Sequence, residues 1–181
     1  MSEGGGGKKV GGAGFQKGGQ YRKQAYSNNT SGAEVFGGSC AELKGFTLDC
    51  GQPHHAESYS KAMEAIINHV RVNFKEGVFL ARTITQKKLV PIPKPVMVLG
   101  DDGAASTDPV DSAIFQQEIK SYVSRNCTYG TSLGQGYGLV WGQCTPNMKA
   151  NLEAMATFTS MQSKEDLLEL LKSVKSLVFN F

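Results

Sequence analysis

The chain has 181 residues, a net charge of +3 and four cysteines that lie far apart. This length is enough for one domain and a tail. No apolar run approaches the ~18 residues that a membrane-spanning helix needs, and the N-terminal sequence MSEGGGGKKV lacks the apolar segment of a secretory signal. Dispersed cysteines without such a signal predict free thiols in a reducing compartment. We therefore expect a cytoplasmic protein with no membrane partner.

The N-terminal tail, residues 1–38, differs sharply in composition from the rest. It holds 12 of the 22 glycines, with five basic and two acidic side chains, whereas residues 39–181 carry fourteen of each. So few apolar residues cannot offset the entropy of an ordered chain, and we predict a disordered tail. Basic side chains neutralise phosphates and aromatic rings stack on unpaired bases, which predicts single-stranded RNA as a partner; a plain solubilising linker is the alternative. The predicted RNA-binding residues are Lys8, Lys9, Phe15, Lys17, Tyr21, Arg22 and Lys23.

The first predicted elements of the folded domain are an extended segment and two helices. Apolar and polar residues alternate over Phe46–Cys50, which predicts a short strand or extended segment. From about Ala56 the apolar residues recur at spacings of three and four, which predicts a helix closed by Gly77 as its C-cap. Its inward residues are Tyr59, Met63, Ile66, Ile67, Val70 and Phe74. A shorter helix is predicted over Val78–Lys87, with Phe79, Leu80 and Ile84 inward.

Residues 88–110 contain four of the six prolines and are predicted to form a non-helical connector. Asp108 and Pro109 have the residue types of an N-cap and first helical position. The helix they begin is predicted to end at Asn126 or Gly130. Its inward residues are Ile114, Phe115, Ile119, Tyr122 and Val123. A separate, weaker helix is predicted over 131–144, because its glycines each cost roughly 0.5–1 kcal/mol relative to alanine.

Two further helices are predicted near the C-terminus. Thr145 and Pro146 begin a short one, Asn147–Thr157, with Met148, Leu152 and Met155 inward. Ser163 is predicted to cap the last helix, with Asp166 as the acidic partner of a capping box. Its apolar stripe comprises Leu167, Leu170, Leu171, Val174, Leu177 and Val178. Trp141 is predicted to anchor the core. The apolar end Phe179–Phe181 indicates packing into the core, docking on a partner, or continuation in a longer parent.

Candidate catalytic and metal sites in the sequence are incomplete. Cys50, His54 and His55 supply half of a zinc site, but no second ligand pair has the usual spacing. A Cys–His nucleophile also needs an orienting group and an oxyanion hole, which no motif marks. Gly134–Gly138 lacks the strand, glycine and helix order of a phosphate-binding loop. We therefore predict a non-enzymatic protein without metal, cofactor or small-molecule substrate; a metal-dependent protein using Cys50, His54 and His55 is the alternative.

One block of the sequence resembles a known family. Residues Leu139–Ala154, LVWGQCTPNMKANLEA, resemble a segment in Gag-like (capsid) proteins of Copia-type LTR retrotransposons, particularly those abundant in algal genomes. Leu43–Cys50 and the helix Tyr59–Phe74 are similar to the start of the same domain. The helix Asp111–Asn126 falls where that family has one, so the resemblance spans residues 39–181. The sequence departs from the family in lacking a C-x2-C-x4-H-x4-C zinc knuckle, in its glycines at 134–138, and in being short for two capsid lobes.

The resemblance implies an all-α capsid-type domain that assembles with copies of itself and encloses RNA. Together with the helical patterns, it predicts a bundle of five or six helices in residues 39–181, with a short extended segment at its start. The resulting functional hypothesis is a Gag-like structural protein that forms homo-oligomers and packages RNA. A small RNA-binding adaptor that does not assemble is the alternative.

Overall fold

The computed structural model describes residues 36–51, 55–99, 103–106 and 108–179, with His55 described by its backbone alone. These residues form one 3-10 turn (Ala41–Leu43) and six α-helices. The helices are α1 (His55–Asn73), α2 (Gly77–Gln86), α3 (Pro109–Gln143), α4 (Pro146–Glu153), α5 (Phe158–Ser163) and α6 (Leu167–Phe179). Pairing of extended backbone within the described chain is limited to isolated bridges, Leu48 with Cys144 and Leu99 with Ala105. The prediction of an all-α bundle is confirmed.

The core lies where α1, α2, α4, α6 and the C-terminal half of α3 meet. The apolar stripes predicted for α1, α2 and α6 supply nearly half of its buried residues, because a stripe repeating every three to four residues gives each helix one face that leaves water. Each fully buried leucine or isoleucine contributes roughly 1.5–3 kcal/mol. The largest fully buried apolar side chains are Leu48, Ile66, Leu80, Ile84, Ile92, Met148, Leu152, Leu170 and Leu171.

The junction between α1 and α2 corrects the predicted role of Gly77. Gly77 begins α2 and is not the C-cap of α1, which ends at Asn73. Glu76 adopts the left-handed conformation of the turn, with φ of 53°. A Cβ atom at Gly77 would overlap the carbonyl oxygen of Val70. Glycine is therefore required here by the close approach of two helices rather than by its own φ angle.

Helix α3 is continuous over 35 residues, so the predicted break at Asn126 or Gly130 is wrong. The start is as predicted: Asp108 Oδ1 accepts a hydrogen bond of 2.8 Å from the amide of Val110. The glycines that suggested a weak helix include positions of close packing. A Cβ at Gly136 would lie 3.1 Å from Leu167 Cδ2. Tertiary packing against α2 and α6 offsets the low intrinsic helix propensity of these residues.

The C-terminal segment is divided differently from the prediction. Helix α4 ends at Glu153 rather than at Thr157, and α5 is inserted before the last helix. Ser163 is the last residue of α5, and the cap of α6 is Asp166, whose Oδ1 accepts a hydrogen bond of 3.0 Å from the amide of Glu169. Glu165 is left-handed, with φ of 48°, and this separates the two helices.

The predicted anchor Trp141 lies at the edge of the core. Its ring is partly buried beside Phe158, with ring centroids 5.6 Å apart, and Lys149 Nζ lies 5.5 Å from its centroid. The neighbouring Val140 and Cys144 are fully buried instead. A helix that turns 100° per residue directs adjacent side chains to different faces, so an apolar run cannot show which member is central.

Candidate functional site

The residues predicted to bind RNA, Lys8 to Lys23, lie outside the described residues, as does His54. His55 begins α1, but its side chain is not described. Cys50 is the one member of the predicted half-site whose side chain the structure describes. Its thiol is buried, and the amide nitrogens of Asn147 and Asn151 each lie 3.5 Å from Sγ. Burial, followed by the charge of Asp49, raises the pKa of this thiol, which favours a protonated, poorly nucleophilic cysteine at neutral pH.

Gln143, inside the Trp-Gly-Gln-Cys block, holds the start of the domain in place. Its side chain is fully buried. Oε1 accepts a hydrogen bond of 3.2 Å from the amide of Cys40, while Nε2 donates to the carbonyls of Leu43 (2.9 Å) and Phe46 (3.0 Å). One amide group thus satisfies three backbone groups of a segment about 100 residues away, which fixes the position of Cys40 against the bundle.

Polar contacts hold the middle of α3 against α2 and against the turn between α1 and α2. Arg125 donates two hydrogen bonds to the carboxylate of Glu76, at 2.7 and 2.9 Å, and these bonds lower the pKa of Glu76. The hydroxyls of Tyr129 and Thr83 lie 2.6 Å apart, and Ser132 Oγ donates to the carbonyl of Lys75 at 2.7 Å. These contacts span 125–132, so they mark where α3 enters the bundle.

The N-terminal half of α3 before these contacts, residues 109–124, is largely exposed. It lies beside the connector: Pro93–Pro95 lines a cavity of about 260 Å³ together with Glu118, Ser121, Tyr122 and Arg125. Ser106 joins the connector to the start of α3, because Ser106 Oγ donates to Asp111 Oδ2 at 2.6 Å and the amide of Ser106 donates to the carbonyl of Val98 at 3.0 Å.

This exposed half carries apolar side chains, which corrects the prediction that Ile114, Ile119 and Val123 face the core. Their exposed fractions are 52%, 40% and 60%, and that of Val110 is 62%. Nine residues separate Val110 from Ile119, as they do Ile114 from Val123. At 3.6 residues per turn, nine residues place two side chains on opposite sides of a helix. We call Val110 with Ile114 the first flank, and Ile119 with Val123 the second flank.

The connector adds two exposed apolar side chains near the start of α3. Val98 and Leu99 are exposed to 53% and 61%, and the carbonyl of Val98 accepts a hydrogen bond from the amide of Ser106. Sequence periodicity identified the apolar residues of α3 but assigned them to one inward face. The nine-residue separation of Ile114 from Val123 was the signal that these side chains could not share one face.

A second group of side chains meets where the 3-10 turn packs on α1. Cys40, Glu42 and His69 place one thiol, one carboxylate oxygen and one ring nitrogen within 4.8 Å of one another. Glu42 Oε2 lies 3.0 Å from His69 Nδ1. Sequence reasoning missed this group, because Cys40 and Glu42 lie in the 3-10 turn region while His69 comes from the fifth turn of α1, a helix that begins thirteen residues after Glu42. The fold alone brings them together.

Comparison with family models, curated proteins and solved structures gives no match to this chain. Among the described residues, no helix combines the length and the apolar character needed to cross a membrane.

Proposed function

We propose that this chain is a non-catalytic, Gag-like structural protein that assembles with copies of itself and packages single-stranded RNA in the cytoplasm. The observation that carries the proposal is the pair of exposed apolar flanks on the N-terminal half of α3. A partner that covers an exposed apolar cluster removes it from water. This contributes roughly 25 cal/mol of favourable free energy per Å² of apolar surface buried. The resemblance of residues 139–154 to Gag-like proteins indicates that the partner is another copy.

The placement of the flanks favours assembly beyond a dimer. A single self-complementary patch closes a two-fold pair and leaves nothing for a third subunit. Here the first flank, with Val110 and Ile114, and the second flank, with Ile119 and Val123, face opposite directions. One subunit can therefore contact two neighbours through one helix, as rings, shells and filaments require.

RNA packaging is assigned to the basic tail, residues 1–38. The bundle residues 39–181 carry no net charge, so the excess of basic side chains that could neutralise phosphates lies in the tail. The described contacts already include Phe36, over whose ring Lys149 Nζ lies at 5.6 Å, and the carbonyl of Gly37, which accepts from the amide of Gly45. A truncation that removes the tail should therefore stop before Phe36.

Light scattering coupled to size exclusion tests the assembly. The full chain is expected to form oligomers that grow with concentration, and to grow further with single-stranded RNA at low salt. Ile114→Asp and Val123→Asp, one on each flank, should each stop growth at a small closed species, and the double variant should be monomeric. Each substitution places a charge where the partner's apolar surface would exclude water.

Val72→Asp is the matched control. Val72 lies on α1 and is 80% exposed, so the same charge is introduced on a different surface. It should assemble as the wild-type chain does. A wild-type chain that stays monomeric at every concentration but binds RNA would replace the proposal with the non-assembling adaptor. Equal loss of assembly in Val72→Asp would show that the α3 flanks are not the interface.

A further inference from the structure

We propose that Cys40, Glu42 and His69 form a zinc site that ties the start of the domain to α1. The three side chains supply the donor atoms that zinc binds in proteins: a thiolate sulfur, a carboxylate oxygen and an imidazole nitrogen. Their donor atoms lie within 4.8 Å of one another. Such donors around a tetrahedral zinc ion, at bond lengths of about 2.0–2.3 Å, lie roughly 3.3–3.8 Å apart.

The adjustment needed to bind the ion is available in Glu42. Its side chain is 70% exposed and free to change rotamer, whereas the His69 side chain is 12% exposed and packs edge-on against Phe74, with ring centroids 6.1 Å apart. Cys40 is fixed by the hydrogen bond of its amide to Gln143. Two ligands are thus held by the bundle, and the third closes on the ion from the solvent side.

The charges of the site also suit a divalent ion. A thiolate and a carboxylate balance the two positive charges of zinc, and neutral His69 adds none, so the occupied site is electrically neutral. His69 Nδ1 lies 3.0 Å from Glu42 Oε2 and 3.1 Å from Asn73 Nδ2. Either form of Nδ1 therefore has one unfavourable neighbour. A lone pair on Nδ1 repels the carboxylate, whereas a proton on Nδ1 repels the donor hydrogens of the Asn73 amide. A cation between Nδ1 and the carboxylate makes that contact attractive.

Three protein ligands leave a fourth position for water. The site joins the 3-10 turn, which supplies Cys40 and Glu42, to α1, which supplies His69. Its role is therefore to stabilise the docking of residues 40–48 on the bundle, beside the hydrogen bonds of Gln143. This inference is independent of the assembly proposal, because neither flank of α3 contributes a ligand.

The test is zinc binding to the full chain, purified without metal and then loaded with zinc alone. We expect stoichiometric zinc by elemental analysis after dialysis. We also expect a rise in Tm on the order of 5–10 °C at a hundredfold excess of zinc over Kd. Cobalt in place of zinc should show a sulfur-to-cobalt charge-transfer band. Cys40→Ser and His69→Gln should lose the band and the Tm rise. Glu42→Gln should weaken binding by at least the roughly 10–100-fold lost with an outer-sphere partner.

Two controls separate this site from other sources of metal binding. Cys127→Ser removes an exposed free thiol on α3 and should leave zinc binding unchanged. A variant with both His54→Asn and His55→Asn tests the half-site at Cys50 and should also retain zinc. Loss of zinc in that variant, or retention in Cys40→Ser, overturns the proposal. Absence of zinc from the wild-type chain also overturns it and leaves a contact between His69 and Glu42 alone. If Cys40→Ser loses helical circular dichroism, the exposed Glu42→Gln decides the question.

Discussion

The two halves of α3 have opposite relations to the rest of the domain. The N-terminal half is rich in apolar side chains and exposes Val110, Ile114, Ile119 and Val123. The C-terminal half contains four glycines over 134–142, and it is buried among α2, α6 and the segment before α1. By residue type alone the first half resembles core and the second resembles a linker.

The difference shows that space between elements, and not only apolar character, decides what is buried. At Gly136 and Gly142 the missing side chains leave room for Leu167 and Ser39. Neighbouring elements can then approach the backbone of α3 closely, and the side chains of those elements cover it. Among the described residues, the first half is covered only in part, by the connector and where Tyr122 packs on the core, so its exposed apolar side chains remain available for another molecule.

Gln143→Leu has the largest expected effect on the buried half. The substitution keeps the volume of the side chain but leaves the amide of Cys40 and the carbonyls of Leu43 and Phe46 without their partner. Each unpaired buried group costs roughly 1–3 kcal/mol, so we expect the free energy of unfolding to fall by about 3 kcal/mol or more. Denaturant unfolding measures it. Gln135→Leu, an exposed position on the same helix, should change stability by less than about 0.5 kcal/mol.

Gly136→Val sharpens the claim that glycine permits the close packing of α3. Its Cβ would lie 3.1 Å from Leu167 and 3.5 Å from Leu80, and the branched side chain adds further atoms. Overpacking of this kind costs about 1–3 kcal/mol. Gly138→Val is the control, because no described atom lies within 4 Å of its added Cβ. Equal destabilisation by both substitutions in denaturant unfolding would contradict the packing argument.

The features of the fold that depend on local sequence patterns could be predicted, and those that depend on tertiary packing could not. The stripes of α1, α2 and α6 and the caps Asp108 and Thr145 were readable, because periodicity and capping are local. The length of α3 was not, since glycine propensity says nothing of the packing that offsets it. Residues Cys40 and His69 meet only through the tertiary fold. The RNA-binding role of the tail remains a prediction from composition and charge.

Glu76→Gln acts where the two halves of α3 join. The paired Arg125 lowers the pKa of Glu76, so the stabilisation by this pair is complete above the ordinary glutamate pKa of about 4.3 and is lost as the pH falls through the lowered folded value. We expect Glu76→Gln to lower the free energy of unfolding by a few tenths to about 1 kcal/mol at pH 7. In Tm measurements the variant should differ from the wild type at pH 7 and converge with it at low pH. Glu64→Gln, exposed on α1, should show neither change.

Val123→Asp has the smallest expected effect on the stability of the monomer, within about 0.5 kcal/mol, because the side chain is already 60% exposed. Val140→Asp on the buried half of the same helix should prevent folding or cost several kcal/mol, because an aspartate would be enclosed without a partner. Denaturant unfolding at low concentration compares the two. A large loss in Val123→Asp would show that this flank belongs to the core of the monomer.

Hydrogen exchange along α3 at low and high protein concentration tests the central claim most directly. Residues 109–124 should exchange faster than residues 129–143 in the dilute chain, and should gain protection as the concentration rises, while 129–143 stay unchanged. The Val72→Asp control should behave in the same way, and the variant with both Ile114→Asp and Val123→Asp should show no concentration dependence. Protection of 109–124 that is independent of concentration in the wild-type chain, or a gain confined to another helix, would contradict an assembly surface on this half of α3.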